Sequence, residues 1–410
     1  MKEMERLKPI HSTFLQLVRL GIGTWDVSDS RLSVPDSDSD EWEKLKALAD
    51  KQGLTAVVMD GLISAHDNGL IDMSAAPQML WLEWLGDVLL GYEKDYQQYE
   101  QAIGSLAGFY NQHGFKMMVL KGYACSLDWP KPNHRPCGDI DIWMFGQQKE
   151  ADEVLASSIK IQDPSFKIDN SHHHHTAFLW QDFAVENHYD FFNVYARESN
   201  KEMEVIFKEL GNFKVESSEF LKGQASKLER RVDGQLKECS DAGCKIQPVK
   251  VRGEVVYLPS ADLHALFLMR HMMAHFVGSK INLRQVLDWA FFAKKHTQEI
   301  DWQWLVGVLE RFHMKDFFDC INVICVDDLG FDKEIFPCVE HIPMVKERVM
   351  NDILSPEFST PAPKNLLPRL IFRYKRWQSN EWKQRLCFSE SRWKLFWKGL
   401  WAKALKPASL

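Results

Sequence analysis

The chain has 410 residues, 45% of them hydrophobic and 26% charged, with a net charge of -7. That composition excludes a disordered chain and leaves room for two or three domains of roughly 100 to 200 residues each. No run of about 18 uncharged apolar residues occurs, which argues against a membrane-spanning helix.

The N-terminal MKEMERLKPIHSTFLQLVRL mixes acidic and basic residues and lacks the apolar stretch of a signal peptide. Eight scattered cysteines form no CxxC pair, so neither a zinc ribbon nor a disulfide scaffold is expected. A cytoplasmic address follows from both. The charge is uneven: residues 364 to 406 hold twelve Lys and Arg against Glu381 and Glu390, a local +10 out of the total of -7, which leaves -17 elsewhere.

Residues 1–110 are expected to form an N-terminal helical region. EWEKLKALADKQGL (41–54) and the stretch from Met79 to Gly114 carry apolar residues at helical spacing, the polar SDSRLSVPDSDSDE lies between helices, and Asp40 is the expected N-cap. The period then changes. KMMVLKG (116–122) predicts a buried strand ending in a tight turn, and DIDIWMF (139–145) a second strand. The intervening segment begins with one or two helical turns and becomes a loop at Pro130, Pro132 and Pro136.

AFLWQDFAVENHYDFFNVY (177–195) predicts a hairpin turning at Gln181 and Asp182, or one long strand. VKVRGEVVYLP (249–259) predicts another hairpin, turning at Arg252 and Gly253. After Pro259, helices are expected over 260–276, with Ser260 as N-cap, and over 282–296 and 302–314.

The chemistry concentrates in RPCGDIDIWMF. Residues two apart on a strand face the same side, so Asp139 and Asp141 point together while Ile140 and Ile142 face a core. Two carboxylates that close repel unless a cation lies between them, and oxygen donors suit Mg²⁺, with Mn²⁺ as the alternative ion. Solvation on an edge strand is the other reading. The neighbours favour the metal. Gly122 lets backbone N–H groups approach a phosphate, and Lys121 and Arg135 add positive charge. On an unbroken strand Asp182, Glu186, His188 and Asp190 would share a face, and Glu186 can supply the third carboxylate of a two-metal site.

This order of strand, glycine turn, paired aspartates and later carboxylate resembles the nucleotidyltransferase superfamily with the DNA polymerase β type fold. VLKG, then Arg, GDIDI, HH and VExH are more closely similar to an uncharacterised nucleotidyltransferase family of bacterial genomes. The resemblance implies that Asp139, Asp141 and Glu186 hold Mg²⁺ and an NTP such as ATP. Lys121, Gly122, Tyr123, Arg135, Gly138, His173 and His188 would surround the nucleotide. Tyr123 stands where the superfamily usually has Gly or Ser. His271, Arg284 and Asp288 match a further family pattern, although Arg284 and Asp288 at i and i+4 could equally be a helix-surface pair.

Other signals stay open. On a strand, only His172 with His174, or His173 with His175, could share an ion; SHHHHTAF could also be a loop beside the active site, acting through His173 or His174. His271 and His275 have zinc-helix spacing, with His264 further back, but Met272 stands where a metalloprotease needs Glu, so core or interface histidines are expected. The tail, with Trp377, Trp382, Trp393, Trp397 and Trp401 among cations, suits docking on the acidic body, an anionic membrane surface or RNA through residues 364–407.

The expected protein is therefore α+β, with a small mixed-sheet nucleotidyltransferase core (111–258) between helical regions (1–110 and 259–355) and a basic Trp-rich tail (356–410). Its expected activity is transfer of an NMP from an NTP to an acceptor hydroxyl on a small molecule, sugar, RNA or protein. A non-catalytic nucleotide- or RNA-binding protein that keeps the fold is the alternative.

Overall fold

A computed structural model describes residues 8–25, 32–36, 40–72, 76–161, 163–195, 197–211, 229–232, 235–238, 245–336, 343–358, 363–390 and 393. Among the described residues eight strands run in chain order: β1 (Met118–Val119), β2 (Ile140–Trp143), β3 (His175–Trp180), β4 (Phe183–His188), β5 (Glu229–Val232), β6 (Gln235–Glu238), β7 (Gln247–Val251) and β8 (Glu254–Leu258). Six of them form a mixed sheet in the order β3-β4-β2-β1-β8-β7, and β5 pairs with β6 alone.

Alternation along the strands sorts the sheet into two faces. Val119, Ile140, Ile142, Phe178 and Val185 join one buried apolar cluster with Tyr99, Leu106 and Tyr110 of helix Lys94–Gln112 and with Leu155 of helix Gln148–Ile159. Met118, Leu120 and Trp143 face the opposite way, into a larger cluster that includes Phe267 and Met273 of helix Ala261–Gly278 and Trp42 and Val58 from the N-terminal helices. Helices thus cover both faces, and every residue of β2 is buried. The acidic Asp141 lies on the second face, against the C-terminal helices.

Both expected hairpins form, with their expected turns. Gln181 and Asp182 have φ of 48° and 70°, and Arg252 and Gly253 have 51° and 92°. Two successive left-handed residues match the right-handed twist of the flanking strands. The turn at 181–182 ends the single-face pattern imagined for an unbroken strand. Asp182 belongs to the turn, and Asp190, beyond β4, pairs with Lys208.

The helices at 41–54, 260–276, 282–296 and 302–314 appear as Glu41–Gln52, Ala261–Gly278, Leu283–His296 and Trp302–Arg311. The capping expectations fare less well. Asp40 ion-pairs with Lys44 at 2.9 Å instead of capping, and Ser260 stands at the N-cap without a side-chain cap bond. A capping box instead opens Leu283–His296, where Asn282 Oδ1 accepts from the Gln285 N–H and Gln285 Oε1 from the Asn282 N–H, at 3.3 and 3.1 Å.

The proline-rich segment after Gly122 starts with the short helix Tyr123–Ser126 and then crosses to the N-terminal helices. There Lys131 and His134 bind Asp60 at 2.6 and 2.7 Å. Much of the basic tail docks on the body: Lys383 is buried against Asp352, Trp382 meets Phe276 edge-on at 5.5 Å, and Glu390 binds Arg197. Along helix Leu366–Ser379, Leu367, Leu370, Ile371 and Tyr374 are exposed. Trp397 and Trp401 lie outside the described residues. Among the described residues no helix is long and apolar enough to cross a membrane.

Candidate active site

Two strand registers assemble the site. In the parallel β2–β4 pair, Asp141 lies beside Glu186 and Trp143 beside His188; in the antiparallel β3–β4 pair, His175 lies beside His188. Side chains of neighbouring strands at matched positions share a face, so Asp141, Glu186, His188 and His175 converge. The reverse face fixes that register. Asp152 accepts hydrogen bonds from Thr176 Oγ1 at 2.6 Å and Asn187 Nδ2 at 2.8 Å, and Thr176 and Asn187 are cross-strand partners. A slip by one residue would break this buried polar network and turn the carboxylates into the apolar core.

Asp141 is 1% exposed. Its Oδ1 lies 2.9 Å from Lys121 Nζ and 3.1 Å from His188 Nε2, while the buried Oδ2 has no hydrogen-bond partner. Burial alone would raise this carboxyl, but the Lys121 ammonium, with His188, holds it well below the usual carboxylate range. Glu186 meets the opposite fate. Its oxygens stand 3.8 Å from His175 Nε2 and 3.7 Å from His188 Nε2, and burial together with the Asp141 charge pushes its carboxyl up to about 7. Two adjacent carboxyls thus hold different protonation states near neutrality.

Asp139 precedes β2 rather than belonging to it, and is exposed at the edge of the site. Partial desolvation of its carboxyl by the cavity wall, then the Asp141 charge, raises its pKa. The ligand atoms of Asp141, Glu186 and His188 lie within 4.8 Å of one another. Hard-cation chemistry fits the two carboxylates of this group: an orphaned, buried oxygen of Asp141 seeks positive charge, and Glu186 lies level with it across the strand pair.

The group opens into a cavity of about 740 Å³ between the sheet and helix Ala261–Gly278. Lys121, Gly122, Arg135, Gly138, Asp139, Asp141, Glu186 and His188, all singled out in the sequence, line it. Tyr123 and His173 do not. The Tyr123 ring turns into the opposite core, stacks on Tyr96 and donates to Glu100 Oε1 at 3.2 Å, while His173 is buried near Tyr195. His174 lines the cavity in its place.

Several further expectations change. Residues 172–174 precede β3, so strand alternation does not govern them, and the neighbours His174 and His175 converge with His188. Arg135 is not a free cation: it is buried, and its Nε and Nη2 bind Asp288 at 2.7 and 3.0 Å, with Trp129 Nε1 donating to the same carboxylate. Asp288 is therefore the partner of Arg135 and not of Arg284. Gly122 has φ +60°, but the space a Cβ would fill holds the Tyr99 hydroxyl at 2.6 Å, which donates to the Asp139 carbonyl. The glycine thus admits a tyrosine that ties the turn to the GDID loop. His271 and His275, read as core or interface residues, line the cavity with ring centres 4.4 Å apart, whereas His264 is buried beside Cys125.

Two further cavity cations, Arg197 and Arg270, escaped the sequence reading, whereas Arg284 belongs to the pattern it singled out. Arg197 binds Glu390 and Gln384, each at 2.9 Å. Arg270 is 3% exposed; its Nη2 donates to Asn200 Oδ1 at 2.5 Å, its Nη1 has no hydrogen-bond partner, and its guanidinium lies over the Phe192 and Phe388 rings. Burial, then Arg197, pulls its pKa down to about 9. Arg284 Nε is also buried without a hydrogen-bond partner. The one sequence signal for Arg270 was a lone cation inside the apolar run ALFLMRHMMAHF.

A family model described as an uncharacterised nucleotidyltransferase matches residues 38–327, and the chain belongs to that family. The match spans the sheet, the GDID loop and the cavity-forming helices. No curated protein and no solved structure matches the chain.

Proposed function

We propose that this member of the nucleotidyltransferase family transfers an NMP from an NTP to an acceptor hydroxyl, with Mg²⁺ held by Asp141 and Glu186 and completed by Asp139. The observation that carries the reading is the buried, unpartnered Asp141 Oδ2, set beside Glu186 in a cavity of about 740 Å³. The cavity's charge supports a polyanionic substrate. Lys121, Arg135 and Arg197 each have a carboxylate partner, whereas Arg270 and Arg284 bind none among the described residues. Glu390 and Asp288 act on these two guanidiniums only from beyond ion-pair contact, and phosphate oxygens would supply direct partners.

Bound Mg²⁺ supplies neutralisation of phosphate charge and activation of the acceptor hydroxyl. The chain's own groups do the rest. Lys121, released from Asp141 as that carboxylate takes a ligand, is free to contact a phosphate. Arg270 and Arg284 orient the anion at the helical side of the cavity. Ionised Glu186 can accept the proton of the acceptor hydroxyl as it attacks the α-phosphate and pyrophosphate leaves. Positioning and fixed charge would account for most of the rate.

Calorimetry with the four NTPs and Mg²⁺, on wild type and on Asp139→Ala and Asp141→Ala, tests the proposal. Mg²⁺-dependent binding of at least one NTP, lost in the variants, is expected. Binding that is absent, or indifferent to these substitutions, overturns it. Incorporation of label from α-labelled NTP into a cell lysate then separates an enzyme from a protein that binds nucleotide without transferring it.

A further inference from the structure

The histidines around Glu186 are poorly suited to Mg²⁺, which prefers oxygen donors, and they have no part in the nucleotidyl transfer described above. His174, His175 and His188 carry ligand atoms that all lie within 4.8 Å of one another, with ring centres 4.5, 5.3 and 5.6 Å apart. His188 already meets the Asp190 carbonyl and Asp141 Oδ1, at 3.3 and 3.1 Å, but the other two rings are unusually idle. His174 Nδ1 and both ring nitrogens of His175 are buried without a hydrogen-bond partner. An imidazole packed for structure alone ordinarily satisfies at least one nitrogen, because an unmet buried polar atom destabilises the fold.

We propose that His174, His175 and His188, with Glu186 beside them, form a site for one divalent first-row transition-metal ion, of the Zn²⁺ or Co²⁺ class. Nitrogens about 2.1 Å from one ion are separated by roughly 3.4 Å in tetrahedral geometry, so donors within 4.8 Å of one another need a contraction of about 1.4 Å at most along the longest edge. The Glu186 oxygens already stand 3.7 and 3.8 Å from His188 and His175. A metal-ligating imidazole must offer a neutral lone pair, and burial keeps His174 and His175 neutral, well below the usual histidine range. His172 stacks on His175 at 4.3 Å and reaches Asp169 at 3.5 Å, which steadies the ligand ring from outside. His188 and Glu186 also belong to the Asp141 group, so the two ions would compete for, or share, these donors.

Co²⁺ is the probe, because imidazole-bound Co²⁺ absorbs in the visible whereas hydrated Co²⁺ absorbs weakly. Metal-free full-length protein at pH 7.5 is expected to take up one equivalent, with visible bands displaced by Zn²⁺ and not by millimolar Mg²⁺. His174→Ala and His175→Ala should each weaken Co²⁺ binding at least tenfold, while the exposed His66→Ala should not. A second measurement needs no variant: Zn²⁺ should shift the imidazole ¹⁵N signals of His174, His175 and His188 in the wild-type protein. Uptake below one-tenth of an equivalent, bands unchanged in the His174→Ala/His175→Ala double variant, or unshifted imidazole nitrogens would overturn the proposal. Failure of Mg²⁺-dependent NTP binding would leave these outcomes unaffected.

Discussion

Glu186 offers the sharpest test of the electrostatics of the site. Its carboxyl is pushed up to about 7 by burial and by the neighbouring Asp141 charge, from an ordinary value of 4.5. With a midpoint near 7, the ionised fraction falls from about nine-tenths at pH 8 to about one-tenth at pH 6. A cation that needs this carboxylate should therefore bind roughly tenfold more weakly at pH 6, a difference of about 1.4 kcal/mol. Carboxyl ¹³C NMR of metal-free protein, with the Glu186 signal identified from Glu186→Gln, should give the midpoint directly, and calorimetry should give the Mg²⁺ affinities. Asp141→Asn removes the like charge and should lower the midpoint, although burial would keep it above the ordinary range.

The same shift has a consequence for stability. A folded-state pKa raised above the unfolded value gives a stabilisation fully present below about 4.5 that is lost as pH rises through about 7. The melting temperature of metal-free protein should carry a falling component across that window, which Glu186→Gln removes. A Glu186 midpoint near 4.5, together with Mg²⁺ affinity flat between pH 6 and 8, would refute the reasoning.

Three other variants probe the scaffold and the cavity. Asp288→Ala leaves the buried Arg135 guanidinium without its bidentate partner and should lower unfolding stability by about 3 to 5 kcal/mol in urea titrations; a loss under about 1 kcal/mol would show the pair to be incidental. Arg270→Met removes a buried charge that has no carboxylate, so the melting temperature should hold or rise while NTP affinity falls at least roughly tenfold, about 1.4 kcal/mol; unchanged NTP affinity would exclude Arg270 from the anion site. Gln181→Asn with Asp182→Gly places residues suited to positive φ in the β3–β4 turn and should stabilise by about 1 to 2 kcal/mol, with an unchanged or lowered melting temperature counting against it.

Local chemistry determined a good deal without reference to the fold. Both hairpin turns, the Gly122 turn, the strand at IDIW and the helices after Pro259 were legible because alternation, helical period and turn preference act over a few residues. The sequence also singled out Asp141, Glu186, Lys121 and His188, which the fold brings together, because strand alternation sets charged side chains on one face and paired carboxylates call for a cation. What it could not reach was partnership across long separations. Asp141 is level with Glu186 only through a parallel pairing of β2 with β4, and Arg135 finds Asp288 across 153 positions. His174 converges with His175 because the chain has not yet entered β3, a matter of one residue in where a strand begins. Arg270 lines the cavity because helix Ala261–Gly278 is covered on nearly all sides, which erases the polar stripe that would reveal its orientation. Periodicity is a property of neighbours in the chain, whereas register and cavity walls arise from burying faces against each other, and only the tertiary structure decides that.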